Sequence, residues 1–451
     1  MAEHQRFKYD SPEMLKEDIE RLGLDIPLSE NLEILKKPVR IGDRLIPNAL
    51  TVHPMEGCDG TPEGKPGELT FRRYERFARG GAGLLWMEAC AVVEEGRANP
   101  RQIMLNKENK EAFQRLLDHM IKAAQEEFGK DHRPYIVLQL THSGRYSKPT
   151  HIIAVQNPYL DRYMSGDYRI ISDDELERLE DAFVEAAELA AEIGFDAVDI
   201  KSCHRYLASE LLSAFTREGR YGGSFENRTR FLLNIVDKIQ ARLGQSIDVT
   251  TRMNAYDAIP YPYGWGVDKE DFHKPDLEEP MKLLKLLRER GMKLVNISIG
   301  NPYYNPHVGR PFDRGPYTPP EHPLESTAKM LNIMRQMQQS VPDIRLIATG
   351  FSWLREYAAN VAAAGIEQGW FSMAGFGRQA FAYPDFARDI VEKGKMDRKK
   401  CCIACTNCSF IMRDGGMAGC VIKDPEVYAP IFKKGREGKP PIKGDRIAEH
   451  V

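Results

Sequence analysis

The sequence has no long hydrophobic run, no targeting pattern and no excess of charge of one sign. A membrane-spanning helix needs about 20 consecutive apolar residues, and no segment approaches that length. The N-terminus, MAEHQRFKYD, has neither the apolar core of a signal peptide nor an arginine-rich transit pattern, so we expect a cytoplasmic protein. Lys and Arg (63) nearly balance Asp and Glu (66), and the resulting net charge of −3 argues against nucleic acid as a partner.

Internal repeats and low-complexity segments are also missing, which excludes a solenoid architecture. The composition, with 42% hydrophobic and 29% charged residues, is that of a globular protein. At 451 residues, the chain can form one large domain with an appendage, or two or three ordinary domains.

Eight short apolar, β-rich runs alternate with helix-periodic stretches along most of the chain. The runs lie at 48–55, 82–89, 135–141, 196–201, 248–253, 294–299, 344–349 and 369–374. Helical periodicity fills most of the gaps, for example over 174–193, 277–290 and 379–394. This alternation predicts an α/β protein whose eight parallel strands close into a TIM (β/α)8 barrel, although an open doubly wound sheet would give a similar string.

Polar residues and glycines stand where most of the predicted strands end, and their placement favours the barrel. They are His53 to Glu56, Glu88 to Cys90, Gln139 to His142, Lys201 to His204, Arg252, Gly300, Gly350 and Gly377-Arg378. A barrel gathers the carboxyl ends of all its strands around one mouth, where active sites of this fold lie. We therefore predict an N-terminal helical segment over 1–40, a barrel over 41–395 and a C-terminal extension over 396–451.

Five of the eight cysteines fall between residues 401 and 420, and their spacing is the strongest local signal in the sequence. The pattern Cys402-x2-Cys405-x2-Cys408-x11-Cys420 offers three close thiolates and a fourth beyond a glycine-rich loop, which suits a 4Fe-4S cluster. Structural zinc is the alternative, but zinc usually takes two separated pairs of ligands. We predict a 4Fe-4S cluster on these four residues, with Cys401 as a spectator.

Several motifs at the predicted barrel mouth, in this order, resemble the Old Yellow Enzyme family of FMN-dependent oxidoreductases. They are Pro54-Met55-Glu56-Gly57, Gln139 to Arg145, Tyr221 to Arg228 and Gly375 to Arg378. The resemblance covers residues 38–425 and includes the cysteine spacing. It is strongest to the iron–sulfur branch that contains 2,4-dienoyl-CoA reductase, trimethylamine dehydrogenase and anaerobic enone reductases.

The resemblance implies a set of FMN contacts. Pro54, Met55, Glu56 and Ala89 correspond to residues along the isoalloxazine, and Gln139 to a hydrogen-bonding partner of its pyrimidine edge. Arg252 would lie near the N1/C2 edge, where a cation stabilises the negative charge of a reduced flavin. The alternative role for Arg252 is a salt bridge at the barrel rim.

Gly350, Gly377 and Arg378 correspond to the residues that hold the FMN phosphate in the family. The physics of the barrel supports the same placement, because phosphate sites of this fold follow strands seven and eight. There, glycines leave backbone N–H groups accessible at the start of a helix.

The segment after strand four carries the chemistry that the resemblance implies. Tyr206 matches the proton donor and His204 matches a ligand of the substrate carbonyl, while Lys201 departs from the usual histidine. Glu56 also departs from the usual small residue. Lys201 could still donate a hydrogen bond to a substrate oxyanion, or meet an acidic group of the substrate. It could instead pair with Glu56 across the mouth, and a distance beyond about 5 Å would remove this pairing. The dienoyl-CoA branch has a further histidine after strand six, which the corresponding stretch of this sequence lacks, so that proton relay is either absent or uses Tyr303.

The implied activity is that of an ene-reductase, which reduces the C=C bond of an enone, enoate or enoyl thioester. In such an enzyme, hydride passes from FMN N5 to the β-carbon and a tyrosine protonates the α-carbon. Only 31 residues follow Cys420, too few for the FAD- and nicotinamide-binding domain of the larger relatives. We therefore expect electrons from a separate donor such as ferredoxin, flavodoxin or a reductase subunit, or directly from NAD(P)H.

Two other functions remain open from the sequence. An amine-dehydrogenase-type enzyme would need an aromatic bowl around a cationic substrate, and the segment Tyr256–Trp265 is rich enough in aromatics to form one. The same segment is equally typical of a well-packed loop. A non-catalytic FMN and iron–sulfur electron-transfer subunit is the second alternative, and a homo-oligomer is compatible with any of the three.

Overall fold

The computed structural model describes residues 4–439 and contains a closed barrel of eight parallel strands. The strands within that range are β1 (Val39–Ile41), β2 (Arg44–Ile46), β3 (Leu50–Val52), β4 (Leu84–Ala91), β5 (Tyr135–Thr141), β6 (His151–Ile153), β7 (Tyr168–Ile170), β8 (Ala197–Ile200), β9 (Asp248–Tyr256), β10 (Leu294–Ile299), β11 (Arg345–Ala348) and β12 (Met373–Phe376). The barrel runs β3-β4-β5-β8-β9-β10-β11-β12, and β12 closes it by pairing with β3. The predicted TIM barrel is confirmed, and the open sheet is not formed.

Each of the eight predicted runs overlaps one barrel strand, because strands buried on both faces read as continuous apolar stretches. The last run shows the largest offset, since the prediction starts at residue 369 and the strand starts at Met373. Gly369 has a φ of +70° and lies just after the helix that ends at Glu367. It therefore belongs to the turn that ends the helix rather than to the strand.

Helices surround the barrel, and capping residues and glycines mark where several of them begin and end. Those within residues 4–439 are α1 (Pro12–Arg21), α2 (Glu33–Lys36), α3 (Glu68–Ala78), α4 (Lys110–Phe128), α5 (Asp173–Ile193), α6 (Leu207–Leu212), α7 (Phe225–Leu243), α8 (Glu278–Glu289), α9 (Pro306–Gly309), α10 (Pro323–Ser340), α11 (Ala358–Glu367), α12 (Arg378–Ala382), α13 (Phe386–Lys393), α14 (Asn407–Arg413) and α15 (Pro425–Arg436). In α5, Ser172 and Glu175 form a capping box, and Gly194 ends the helix with a φ of +99°. No helix in the described range is long and apolar enough to cross a membrane.

A short hairpin closes the end of the barrel where the strands begin. Strands β1 and β2 pair with each other, and their inward residues Ile41 and Ile46 pack against Leu84, Trp86 and Tyr135 of the barrel. The amino ends of the strands are therefore buried beneath apolar side chains. The carboxyl ends, on the opposite side, remain available for a binding site.

The C-terminal extension packs beside the loop that follows β3. Ala418 N–H donates a 2.6 Å hydrogen bond to the Gly57 carbonyl, and Asp424 pairs with Arg72 and Arg76 of α3. The predicted division at residues 40 and 395 stays a prediction. Residues 1–3 and 440–451, which belong to its first and last segments, lie outside the described residues.

Asn48 joins the starts of β3 and β4 at the closed end of the barrel. Its Oδ1 accepts from Gly83 N–H at 2.8 Å and Leu50 N–H at 3.1 Å, and its Nδ2 donates to the Gly81 carbonyl at 2.8 Å. We predict that N48A lowers the free energy of unfolding by about 1–3 kcal/mol, because buried backbone groups lose their partner. Urea unfolding followed by circular dichroism measures the change. The control N332A truncates an exposed side chain on α10 and should leave the free energy of unfolding within about 0.5 kcal/mol of the wild-type value. Equal losses of stability in both variants would contradict this role of Asn48.

Candidate active site

A cavity of about 1150 Å³, including the space open at its mouth, lies at the carboxyl ends of the barrel strands. Its wall contains most of the residues that the sequence singled out: Pro54, Met55 and Glu56 after β3, Gln139 of β5, Lys201, His204 and Tyr206 after β8, Arg252 of β9, Gly350 after β11, and Gly377 and Arg378 after β12. Segment 298–310 and helix α14 supply much of the remaining wall. The cavity lies where ligand sites of this fold are expected.

Ala89 is the one predicted flavin contact that does not line this cavity. It is buried in β4 opposite Gln139, and its carbonyl accepts a 3.0 Å hydrogen bond from Gln102 Nε2. Its proposed contact with a flavin stays a prediction.

A buried carboxylate, Asp199 of β8, orients two of the predicted flavin contacts. Its Oδ2 accepts from Gln139 Nε2 at 2.6 Å and Trp86 Nε1 at 2.7 Å, and its Oδ1 accepts from Arg252 N–H at 2.7 Å. A carboxylate can only accept, so the amide of Gln139 must turn its Nε2 toward Asp199. The Gln139 Oε1 is then left as the acceptor that can face a ligand. Burial raises the pKa of Asp199 to about 6, and the hydrogen bonds that it accepts oppose this shift.

The Arg252 guanidinium is buried, and its Nε has no hydrogen-bond partner among the residues that the structure describes. It forms no ion pair with any carboxylate in residues 4–439, so the predicted alternative of a rim salt bridge is not realised there. Burial lowers the pKa of Arg252, with Asp199 acting in the opposite direction. A cation with an unsatisfied donor on the cavity wall is suited to an anionic or electron-rich ligand.

Lys201, Glu56 and Tyr206 form one contact group on the cavity wall. Lys201 Nζ lies 3.4 Å from Glu56 Oε1, which confirms the predicted pair. The Tyr206 hydroxyl donates to the same Oε1 at 2.6 Å and lies 3.0 Å from the Tyr303 hydroxyl. Lys201 Nζ also lies 3.2 Å from the centre of the Tyr206 ring, as in a cation–π contact.

The surroundings of this group keep Tyr206 protonated near neutral pH. Burial, and next the Glu56 carboxylate, raise the pKa of Tyr206 well above its ordinary value. Burial lowers the pKa of Lys201, while Glu56 opposes that shift. The network therefore has a phenol that holds its proton and a carboxylate in direct contact with it.

His204 lies in a turn with left-handed backbone conformation, and the side chains of Arg205 and Ser298 help to fix its position. Its φ is +61° and that of Arg205 is +63°, both in the left-handed region. The Arg205 guanidinium forms a buried ion pair with Asp257 at 2.9 Å, which anchors the turn. Ser298 Oγ lies 3.0 Å from His204 Nε2. Burial, and then Arg252 nearby, lower the pKa of His204 well below its ordinary value, so the ring is neutral near neutral pH.

The loop after β3 owes its position to a buried ionic network below it. Arg73 contacts both Asp59 and Glu88, and Glu88 Oε2 accepts a 2.8 Å hydrogen bond from Gly57 N–H. A Cβ at Gly57 would lie 1.8 Å from Arg73 Nη1, so only glycine leaves room for this guanidinium. Glu88, which the sequence placed at a strand end, therefore supports the loop that carries Glu56.

The predicted phosphate residues lie together with two further arginines. Gly350 has a φ of +93°, and a Cβ at Gly377 would meet Met55 Sδ at 2.9 Å. The Arg378 guanidinium is buried and donates to the Pro311 carbonyl at 2.9 Å. Arg310 and Arg413, which the sequence did not single out, line the same cavity.

The four predicted cluster cysteines line a second cavity beside the first. Arg378, Phe381 and Cys408 belong to both walls, so the two cavities are neighbours. Backbone N–H groups donate to two of the sulfurs, from Ala404 to Cys402 Sγ at 3.4 Å and from Lys423 to Cys420 Sγ at 3.3 Å.

Cys401 stands apart from this group. It does not line the second cavity, and its Sγ donates to the Asp397 carbonyl at 3.4 Å. In the described part of the chain, no three His, Cys, Asp or Glu residues are arranged to hold a single metal ion.

The aromatic segment Tyr256–Trp265 does not line the candidate active site. Trp265 Nε1 donates to the Asn254 carbonyl at 3.0 Å, and Tyr263 packs against Tyr159. It is a packed loop, as in the second interpretation of the sequence. Tyr206 and Tyr303 supply aromatic surface to the cavity instead, and Tyr146 packs against both.

Residues 35–301 match the family model described as the NADH:flavin oxidoreductase / NADH oxidase family. An NADH:flavin oxidoreductase of Gibberella zeae is 25% identical over 69% of this chain and 75% of its own length. An NADH oxidase of Thermoanaerobacter brockii is 26% identical over 81% of this chain, and a cinnamate reductase of Clostridium sporogenes is 26% identical over 84%. The matches cover 52% and 55% of those two proteins, so the chain spans about half their length.

Solved structures share the fold at low sequence identity. A 2-naphthoyl-CoA reductase in complex with 2-naphthoyl-CoA has a TM-score of 0.71 and 19% identity, covering 89% of this chain and 58% of that protein. An old yellow enzyme homologue from Zymomonas mobilis has a TM-score of 0.60 and 21% identity, covering 80% of this chain and 94% of that protein. These likenesses are evidence of a common fold.

Proposed function

The chain belongs to the NADH:flavin oxidoreductase / NADH oxidase family, and from this premise we propose that it is an FMN- and 4Fe-4S-dependent ene-reductase. Its substrate would be an α,β-unsaturated carbonyl compound. The observation that carries the proposal is that Tyr206 and His204 share one cavity with Gln139 and Arg252. That cavity thus combines a proton donor and a carbonyl ligand with the side chains proposed to contact the flavin.

The cavity residues fit FMN on two counts. The Arg252 Nε is a buried donor without a partner, and Gln139 presents an acceptor because Asp199 holds its Nε2. Glycines at 350 and 377 leave backbone exposed near the Arg378 guanidinium, as a phosphate site requires. Bound there, FMN would supply the hydride that reduces the alkene.

The cysteine cavity fits a 4Fe-4S cluster. Cys402, Cys405, Cys408 and Cys420 surround one space, and two of their sulfurs already accept backbone hydrogen bonds. Burial raises the pKa of the Cys402 thiol to about 12 and that of Cys420 to about 11, so bound metal would be needed to keep them as thiolates. The cluster would supply electrons one at a time, through the wall that the two cavities share.

Tyr206 would give its proton to the α-carbon of the substrate, and Glu56 would replace that proton. The hydroxyl and carboxyl oxygens are 2.6 Å apart, within direct proton-transfer distance. As the phenol proton leaves for the substrate, a proton that solvent delivers to the Glu56 carboxylate can pass on to the phenol oxygen. Glu56 also lines the cavity, from which solvent can protonate it again.

His204 would bind the carbonyl oxygen on which negative charge develops. Ser298 engages its Nε2, which leaves Nδ1 as the other hydrogen-bonding atom of the neutral ring. Lys201 contacts both Glu56 and the Tyr206 ring, so its contacts support a role in positioning this pair. Its charge would also favour an oxyanion formed beside it.

The relatives support this reaction class and one of the possible electron sources. A cinnamate reductase is among the similar proteins, and a 2-naphthoyl-CoA reductase is among the similar structures. The matches to an NADH oxidase and to NADPH dehydrogenases support NAD(P)H as a direct electron donor. A separate electron-transfer protein is the other proposed source.

The charges on the wall favour an ene-reductase over an amine dehydrogenase. Arg252, Arg310, Arg378, Arg413 and Lys201 line the cavity, whereas Glu56 is the one carboxylate on its described wall. A cationic amine would be repelled by this surface. A conjugated carbonyl, which gains negative charge as it is reduced, would be stabilised by it.

The proposed activity predicts that an enoate such as cinnamate reoxidises the reduced protein. The holoprotein is reduced with dithionite without oxygen, the substrate is added, and the return of flavin absorbance is followed. NADH in place of dithionite tests direct donation. Bleaching of the oxidised protein by an amine would support the dehydrogenase instead, and a response to neither compound would support an electron-transfer subunit.

The proton-transfer assignment predicts that Y206F lowers the rate of this reoxidation by about 10²- to 10⁴-fold with FMN still bound, because the general acid is lost. E56Q should also slow the reoxidation, because an amide cannot take up a proton and pass it on as a carboxylate can. Y146F is the matched control and should keep the full rate, since the Tyr146 hydroxyl contacts Asn301 and lies outside the cavity wall. Y303F separately tests whether the relay uses Tyr303. Unchanged turnover in Y206F, or a full rate in E56Q, would remove the corresponding residue from the proton path.

The cluster assignment predicts that C420S loses iron and its broad visible absorbance, because a serine hydroxyl is a poor replacement for a thiolate ligand. C401S, a substitution of the neighbouring buried cysteine outside the cavity, should keep both. Iron and sulfide analysis of the purified variants measures the difference. Loss of iron in C401S with retention in C420S would reverse the ligand assignment.

A further inference from the structure

We infer that the substrate carries an anionic group and that Arg413, together with Arg310, binds it at the mouth of the cavity. This inference rests on the proposed ene-reductase function and deepens it by naming the substrate class. The anion would be the carboxylate of an unsaturated acid or the phosphates of a nucleotide thioester, since both present charged oxygens to a guanidinium.

Two guanidiniums are held against the same carbonyl on the cavity wall. Arg310 Nη2 donates to the Pro302 carbonyl at 2.9 Å, and Arg413 Nη2 donates to it at 3.2 Å. Arg310 also donates to Ser409 Oγ, and its buried Nε has no hydrogen-bond partner within the described part of the chain. Like charges this close repel each other, so the pair favours the arrival of an anion.

No carboxylate within residues 4–439 forms an ion pair with Arg310, Arg378 or Arg413. Burial lowers the pKa of Arg310 to about 10, and the nearby cations Arg378 and Arg413 act in the same direction. Glu56 is the one carboxylate on the described cavity wall, and Lys201 and Tyr206 already engage it. The positive charge of this wall is therefore left for bound ligands to neutralise.

FMN would account for only part of this charge. Its phosphate is assigned to the buried Arg378, beside Gly350 and Gly377, and its ring to Arg252. Arg413 differs from both because it is exposed and belongs to α14 of the C-terminal extension. It is the cation that a substrate would meet on entering the cavity.

The position of the pair suits a ligand that reaches the proton donor. Pro302, which both arginines contact, precedes Tyr303, and the Tyr303 hydroxyl lies 3.0 Å from that of Tyr206. A substrate held by its acidic group at the arginines would extend along Tyr303 toward Tyr206. The charge and the reacting carbons would then occupy neighbouring parts of one cavity.

The test compares an acid with a neutral compound of similar shape. Binding of cinnamate, of cinnamoyl-CoA and of benzylideneacetone to the oxidised holoprotein is titrated through the change in flavin absorbance. R413Q is expected to raise the Kd of at least one of the anionic ligands by about 10- to 100-fold, because a charge-assisted contact is lost. The Kd of benzylideneacetone should stay unchanged, and R413K should recover part of the affinity.

K433Q removes an exposed cation from α15 of the same extension and serves as the control for net charge. An effect confined to cinnamoyl-CoA would support the inference with phosphate as the anion, and an effect on cinnamate would support it with carboxylate. The inference would be overturned if R413Q weakened the acid and the neutral compound equally, or weakened neither anionic ligand. Loss of FMN from R413Q would also overturn it, because Arg413 would then belong to the FMN phosphate site. Failure of the ene-reductase function would instead show as no reoxidation by any of the three compounds, while the titration would still decide the role of Arg413.

Discussion

The arrangement of the candidate site depends on one buried carboxylate inside the barrel. Asp199 of β8 accepts hydrogen bonds from Trp86 of β4, Gln139 of β5 and the backbone of Arg252 in β9, so a single side chain connects four neighbouring strands. A buried ionisable group is costly unless it is fully hydrogen-bonded, and three donors offset that cost here. The same hydrogen bonds determine which atom of the Gln139 amide faces the cavity. One set of contacts therefore both stabilises the barrel and orients a residue of the candidate site.

The C-terminal extension has a comparable double role. Cys408 belongs to the walls of both cavities, and Arg413 follows it by five residues on the same helix, α14. This short helix thus carries both a proposed cluster ligand and the cation proposed to bind the substrate. Because Ala418 N–H bonds to the Gly57 carbonyl, the extension also contacts the loop that carries Glu56. Binding of the cluster would therefore affect the shape of the substrate cavity as well as its supply of electrons.

The sequence could predict those residues of the candidate site that lie at the ends of barrel strands. Buried parallel strands read as continuous apolar runs, and closure of the barrel brings their polar ends together, so the sequence alone could place Gln139, Lys201 and Arg252 at one mouth. Asp199 is the single polar residue of β8, and Ser298 is one of two in β10. Neither could be identified from the sequence, because the residues that each one contacts lie far away along the chain. Arg310 and Arg413 resemble ordinary basic residues of a loop and a helix. Only the tertiary fold shows that they contact the same carbonyl and that no carboxylate of the described residues pairs with them.

The two departures from the family pattern, Lys201 and Glu56, make physical sense as a pair. A lysine alone at this depth would be an uncompensated buried cation, and a glutamate alone would repel the negative charge that develops on a substrate carbonyl. Together they are close to neutral, and their contact fixes a carboxyl oxygen against the Tyr206 hydroxyl. Glu56 would then return a solvent proton to Tyr206, while arginines that form no ion pair with a carboxylate in residues 4–439 keep the cavity positive overall. A surface of this kind would stabilise the negative charge that develops on a substrate carbonyl during alkene reduction more than the uncharged carbonyl of the ground state, which is the condition for catalysis in that direction.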